Sequence, residues 1–201
     1  LFRFRNINLK PINLNLVDIV WKNRPKEEAR KFFLLPNKIT GKSSNKKISD
    51  LKKYLIQNKS DFLFVSAPEN VAWILNIRGH DSLFAPISNA RLLISREGRI
   101  DFFSDLRKIT KINHSFGKNV FFHEEIKIDK FISKISNKTI WLDKQSCSIY
   151  HKKIFEKQNR ILEKIDPIYL LKAIKNKTEI KNIKRVHLID GVALTKFILW
   201  L

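Results

Sequence analysis

The sequence is short of cysteine, methionine, acidic residues and long apolar runs, and each shortage excludes something. Of its 201 residues one is cysteine, Cys147, so no internal disulfide can form and no cysteine cluster can hold a metal. Methionine is absent altogether, the chain opens on Leu1, and it ends on Phe197-Ile198-Leu199-Trp200-Leu201 within an apolar helical pattern. An internal piece of a longer open reading frame, continuing at both ends, is the expectation. Apolar runs such as 32–35 and 62–65 fall far short of the roughly 20 residues of a membrane helix. The opening Leu1-Phe2-Arg3-Phe4-Arg5 has no extended apolar segment of the signal-peptide kind. A soluble protein of the cytoplasm, with no membrane partner, is expected.

Acidic residues number 19 against 40 lysines and arginines, giving a formal net charge of +21. Such an excess suits nucleic acid when it is clustered. Here Lys10, Lys46, Lys59, Lys111, Lys157 and Lys184 are scattered among abundant Asn and Ile. The excess therefore reads as compositional drift, and no nucleic-acid partner is expected. Phe121 and Phe122 sit in an apolar run and read as core, not as a basic-aromatic platform.

What the chain does have is hydrophobic content of 43%, enough for a proper core. Pro11 to Asn15 is extended in character, 16–21 is a short apolar helical turn closed before Pro25, and 26–38 has the mixed charge and closing proline of a linker. Thr40-Gly41-Lys42-Ser43-Ser44 supplies turn and cap residues for an amphipathic helix carrying Ile48, Leu51, Leu55 and Ile56. Gly41-Lys42-Ser43 is not a phosphate loop, since Pro36 stands where the first glycine belongs. Residues 61–65 read as a strand covered on both faces, and 91–95 with 99–103 as a hairpin turning at Arg96-Glu97-Gly98. Further strands at 120–122 and 139–142 alternate with helices at about 124–136 and 146–158. The result is an α/β unit with a mixed sheet flanked by helices. Asp166-Pro167 breaks it, and Asn176 with Glu179 caps a long helix whose stripe of Ile180, Ile183, His187, Leu194, Phe197, Ile198 and Leu201 lacks a partner here. A further domain is expected to bury that stripe, with His187 packed in it.

The central stretch is 66–81, Ser-Ala-Pro-Glu-Asn-Val-Ala-Trp-Ile-Leu-Asn-Ile-Arg-Gly-His-Asp. Ser66 and Glu69 have capping-box spacing, Pro68 suits a first turn, Val71, Ile74, Leu75 and Ile77 form an apolar face, and Gly79 suits the exit. The helix would deliver a charged corner, Arg78, His80 and Asp81, around a glycine free to take positive φ. The corner admits two roles. It pins the loop through hydrogen bonds and a local ion pair, or it faces a cleft and shapes access to it.

No histidine stands in a His-x-x-x-His or His-Glu-x-x-His pattern and there is no Gly-x-Ser-x-Gly elbow. Cys147 has only His151 nearby, on the same face of a helix with no third group to orient it. By spacing alone, no residue is assigned as catalytic or as a metal ligand.

Three ordered stretches resemble the Xaa-Pro aminopeptidases, in their three-domain form, of the pita-bread metallopeptidase superfamily. Asn15-Leu16-Val17-Asp18-Ile19-Val20-Trp21 with Arg24-Pro25 resembles the close of the family's first domain. Ala72 to Gly79 with Asp81, then Asp101-Phe102-Phe103 with Lys108, resembles its second, creatinase-like domain. Lys172 to Asn176, Glu179-Ile180, His187, Asp190 to Ala193 and Trp200-Leu201 resemble the first helix of its catalytic domain. The resemblance implies three parts: 1–37 as the tail of a first domain and linker, 38–165 as the creatinase-like domain, and 166–201 as the start of a pita-bread α+β domain. It implies release of the N-terminal residue from peptides with proline in second position, by a homodimer with two divalent ions, manganese as a rule. None of the family's metal-ligand motifs matches a position of this sequence, so no metal is assigned to these residues. Prolidase- or creatinase-like enzymes of the same superfamily, and metal-free pita-bread binding modules, are the alternatives.

Overall fold

The computed structural model describes Ile12, residues 15–25 and residues 28–201. The extended segment expected at 11–15 falls largely outside them. The first described element is helix α1 (Leu16–Val20), capped by the Asn15 side chain, which accepts from Val17 N. Strand β1 (Phe33–Leu34), the single turn α2 (Asn37–Thr40) and helix α3 (Ser44–Gln57) follow. Ser43 caps α3, as its position in the sequence predicts, accepting from Lys46 N at 3.3 Å. Gly41 ends α2 at φ +68, and a Cβ there would lie 2.3 Å from Asn176 Oδ1, so both the left-handed turn and the close approach require glycine.

From β2 (Phe62–Val65) the chain enters α4 (Pro68–Ile74) and the short strand β3 (Ile77–Arg78). The predicted hairpin forms as β4 (Arg91–Ser95) and β5 (Ile100–Ser104), followed by the turn α5 (Leu106–Ile109) and β6 (Val120–Glu124). Helix α6 (Ile128–Ile132), β7 (Thr139–Leu142), α7 (Ile149–Glu156) and β8 (Arg160–Glu163) complete the sheet, and α8 (Pro167–Ala173) and α9 (Lys177–Trp200) close the chain.

The six-stranded sheet has the order β6-β5-β4-β2-β7-β8. β4 runs antiparallel to β2 and β5, whereas the β5·β6, β2·β7 and β7·β8 pairs are parallel, so the sheet is mixed as expected. Alternation along the central strands divides the core between its two faces. Leu63, Val65, Leu92, Ile94 and Phe102 pack with Leu51 and Leu55 of α3 and Val71 and Ile74 of α4. On the opposite face Phe64, Leu93, Phe103, Ile140 and Leu142 meet Ile128, Ile132 and Phe155 of α6 and α7. With both faces covered, the strands read as nearly continuous apolar runs.

Several expectations are corrected. The stretch read as a linker carries Phe32, fully buried, and the β1 strand, which pairs with β3. The helix expected over 124–136 contracts to α6, since Glu124 completes β6. Strand β8 went unrecognised. Phe121 is 41% exposed under the Arg99 guanidinium, not core. The apolar stripe of α9, His187 included, is largely exposed among the described residues, in keeping with the expectation that it has no partner here.

Candidate functional site

The signature helix is held differently from its sequence pattern. Its N-cap is Ala67, without a side-chain cap, and Pro68 takes the first turn. Ser66 Oγ instead bonds Ser146 Oγ at 3.1 Å, and Glu69 accepts from the Tyr169 hydroxyl at 2.7 Å. The helix exit is Asn76, not Gly79: Asn76 takes φ +56, the left-handed conformation that asparagine tolerates. Its Oδ1 accepts from Lys47 Nζ at 2.6 Å and its Nδ2 donates to Lys42 O at 2.9 Å. Ile77, expected on the helix face, lies beyond the turn in β3.

Gly79 has no positive φ, and its role is spatial. A Cβ at this position would lie 2.8 Å from both Ile87 O and Phe32 Cδ1. The chain crosses Phe32 here, and only a residue without a side chain fits.

The corner is divided between two sides of this crossing. Arg78 is half-buried, and its Nη1 donates to Ala72 O at 3.2 Å and Ile77 O at 2.8 Å. Burial holds its pKa below the usual arginine value. It borders a cavity of about 310 Å³ lined also by Lys47, Trp73 and Glu179. Asp81 points the other way, with Oδ1 2.7 Å from Lys108 Nζ and Oδ2 accepting from Asn89 N at 2.7 Å. His80 is exposed and tilts against Phe33, with ring centroids 5.6 Å apart. His80 and Asp81 border a second hollow with Glu28, Arg30, Ser82 and Leu83. Arg78 and Asp81 therefore do not form one constellation.

Sequence reasoning missed Lys47 and the tertiary partners of Asp166 and Glu179, which organise this region. Lys47 is 1% exposed and reaches Trp73 O and Asn76 Oδ1, with Nζ 3.9 Å from the Trp73 ring centroid. Its signal was its spacing with Leu51 and Leu55 on the buried stripe of α3. Asp166 caps α8 through Ile168 N and accepts from Asn70 Nδ2 at 2.8 Å, and burial pushes its carboxyl up to about 6. Glu179 completes the predicted capping box with Asn176 and accepts from Trp73 Nε1 at 3.4 Å. Together they fasten α8 and the first turn of α9 to the signature helix.

Elsewhere the polar side chains form local clusters. Asp101 is bound by the Arg99 guanidinium and by His123 Nε2 at 2.8 Å. Ser148 caps α7, and Cys147 lies before that helix instead of sharing its face with His151. Among the described residues no group of three or more His, Cys, Asp or Glu side chains is placed to hold a metal ion. A two-metal centre does not fit this set of donors.

Residues 23–179 match the creatinase/prolidase N-terminal domain family. The chain belongs to that family. This creatinase/prolidase N-terminal domain is 32% identical over 196 residues to Xaa-Pro aminopeptidase 1 of Dictyostelium discoideum, covering 93% of this chain and 31% of that protein. It is 33% identical over 201 residues to Xaa-Pro aminopeptidase ApepP of Drosophila melanogaster, covering 96% and 32%. The chain thus spans about a third of the length of the curated relatives it matches. Among solved structures it superposes on the X-prolyl aminopeptidase of Caenorhabditis elegans, described as a cytosolic enzyme with a di-nuclear active site. That match has a TM-score of 0.83 at 28% identity, over 94% of this chain and 32% of that one. The Xaa-Pro dipeptidase of Bacillus anthracis shares the fold at a TM-score of 0.62 and 16% identity, over 79% of this chain and 44% of its own.

Proposed function

We propose that this domain is the non-catalytic N-terminal part of an Xaa-Pro aminopeptidase, with 1–37 as the tail of a first domain and a linker whose end, from Phe32, packs on the next unit, 38–165 as the creatinase-like unit and 166–201 opening the pita-bread domain. The observation that carries the reading is the likeness to the nematode X-prolyl aminopeptidase over 94% of this chain at 28% identity. The full polypeptide would release the N-terminal residue ahead of proline from peptide substrates. Two divalent ions, manganese in our reading, would activate the attacking water in that polypeptide. No described residue of this chain takes part in that step. A cytosolic homodimer completes the proposal.

In this reading Arg78, His80 and Asp81 form a structural joint. Both Asp81 oxygens are engaged by Lys108 and Asn89, and Arg78 binds main-chain carbonyls, which supports the role. The joint sets α4 against β1 and α5, while the Asp166 and Glu179 contacts carry α9 out of the domain at a fixed angle.

The test is a peptide panel on the full polypeptide. Xaa-Pro-Xaa tripeptides should be cleaved after the first residue, Xaa-Ala-Xaa peptides should not, and chelation should abolish turnover until manganese is restored. Preference for Xaa-Pro dipeptides over longer peptides would identify a prolidase instead, and inactivity with manganese present would leave a binding module.

A further inference from the structure

We propose that the cavity bounded by α3, β3 and the first turn of α9 is a binding site for a small organic carboxylate carried on an apolar or aromatic body. The electrostatics point to an anion. Lys47, Arg78, Lys172 and Lys175 line the cavity against the single carboxylate of Glu179. Among the described residues none of these four cations forms an ion pair. Glu179 is itself committed, since it accepts from Asn176 N at 2.8 Å and from the Trp73 indole.

Two of these cations are withdrawn from bulk water, and the Glu179 carboxylate is the one charge of the lining that offsets them. Lys47 is buried beneath the Trp73 ring, and burial pushes it down to about 8. Arg78 uses Nη1 on carbonyls, and among the described residues no acceptor takes its Nε or Nη2. A guanidinium with that edge free offers the planar fork that matches a carboxylate. The rest of the lining combines the apolar side chains of Leu35, Ile39, Ile183 and Trp73 with the polar ones of Thr40, Asn76 and Asn182. At about 310 Å³ the space suits a molecule the size of a substituted benzoate, not an extended chain.

The experiment is calorimetric titration of the full polypeptide with benzoate, its neutral isostere benzamide, and inorganic phosphate. Benzoate should bind saturably with a Kd below about 1 mM, and benzamide and phosphate at least about tenfold more weakly. Near pH 8.5 benzoate binding should be accompanied by proton uptake, because the anion joins Glu179 in favouring the charge on Lys47 against burial and the Arg78 and Lys42 cations, and two buffers of different ionisation heat reveal it. Arg78→Gln should weaken benzoate at least about tenfold. Lys175→Glu, at an exposed position, gives the same direction of change if the first variant does not fold. Four results each overturn the proposal: no saturation by 10 mM, on the order of tenfold above the expected Kd; equal affinity for benzamide; equal affinity for phosphate; or benzoate binding unaffected by the substitutions, which would place it elsewhere in the polypeptide.

Discussion

Lys108 Nζ lies 2.7 Å from Asp81 Oδ1, with the two side chains 10% and 8% exposed. The pair joins the loop after β3 to α5, and the Lys108 carbonyl accepts from Phe32 N at 2.8 Å in the same place. Removing one partner of a buried ion pair leaves an uncompensated charge, which costs about 3–5 kcal/mol. Lys108→Ala should lower unfolding stability by that amount in urea titration. A loss under about 1 kcal/mol, the range of exposed pairs, would show that the pair does not fasten the loop.

Gly79 and Gly191 predict opposite outcomes for the same substitution. Gly79→Ala drives a Cβ against the Ile87 carbonyl and the Phe32 ring, and should destabilise by about 1–3 kcal/mol. Gly191→Ala meets nothing within 4 Å in the interior of α9 and should stabilise by about 0.5–1 kcal/mol. Thermal unfolding of both variants checks the pair of signs.

Asp166 supplies a pH dependence. Its carboxyl is pushed from 3.8 up to about 6 by burial, so the folded state holds the proton more tightly than the unfolded one. The associated stability is fully present below pH 3.8 and is lost as pH rises through about 6. The difference in unfolding free energy between Asp166→Asn and the unaltered protein should therefore move in favour of the variant, by about 2 kcal/mol between pH 4 and pH 7. A difference independent of pH would show that Asp166 titrates normally.

Cys147 should be a poor nucleophile. Burial pushes its thiol up from 9.0 to about 11, which reduces the thiolate fraction at pH 8 about a hundredfold. Iodoacetamide should modify it on the order of a hundred times more slowly than it does in an unfolded sample. Comparable rates would contradict the burial.

Much of this architecture was legible because the central strands are covered on both faces. Residues 61–65 read as a strand covered on both faces and 139–142 as a further strand, and the Gly98 hairpin followed from its turn. β8 was not legible. It is an edge strand with charged ends, Arg160 and Glu163, and it depends on β7 for its pairing. The signature helix shows how tertiary partners override local pattern: Ser66 and Glu69 have capping-box spacing, but Ser146 and Tyr169 take their side chains. Asn76 occupies the left-handed exit expected of a glycine because Lys47, from a helix 29 residues earlier in the chain, holds its side chain. The corner looked like one charged site because sequence places Arg78 and Asp81 three residues apart, yet the crossing over Phe32 sends them to opposite sides.

In the proposed reading this corner builds the domain, and the proposed peptide hydrolysis is carried by residues outside those described. Asp81→Asn in the full polypeptide, assayed for kcat/KM on an Xaa-Pro tripeptide alongside its urea midpoint, tests it most directly. A structural corner gives a lowered midpoint with kcat/KM within about twofold of the unaltered protein. A fall of about tenfold or more in kcat/KM at an unchanged midpoint would contradict it and place Asp81 in the catalytic cleft.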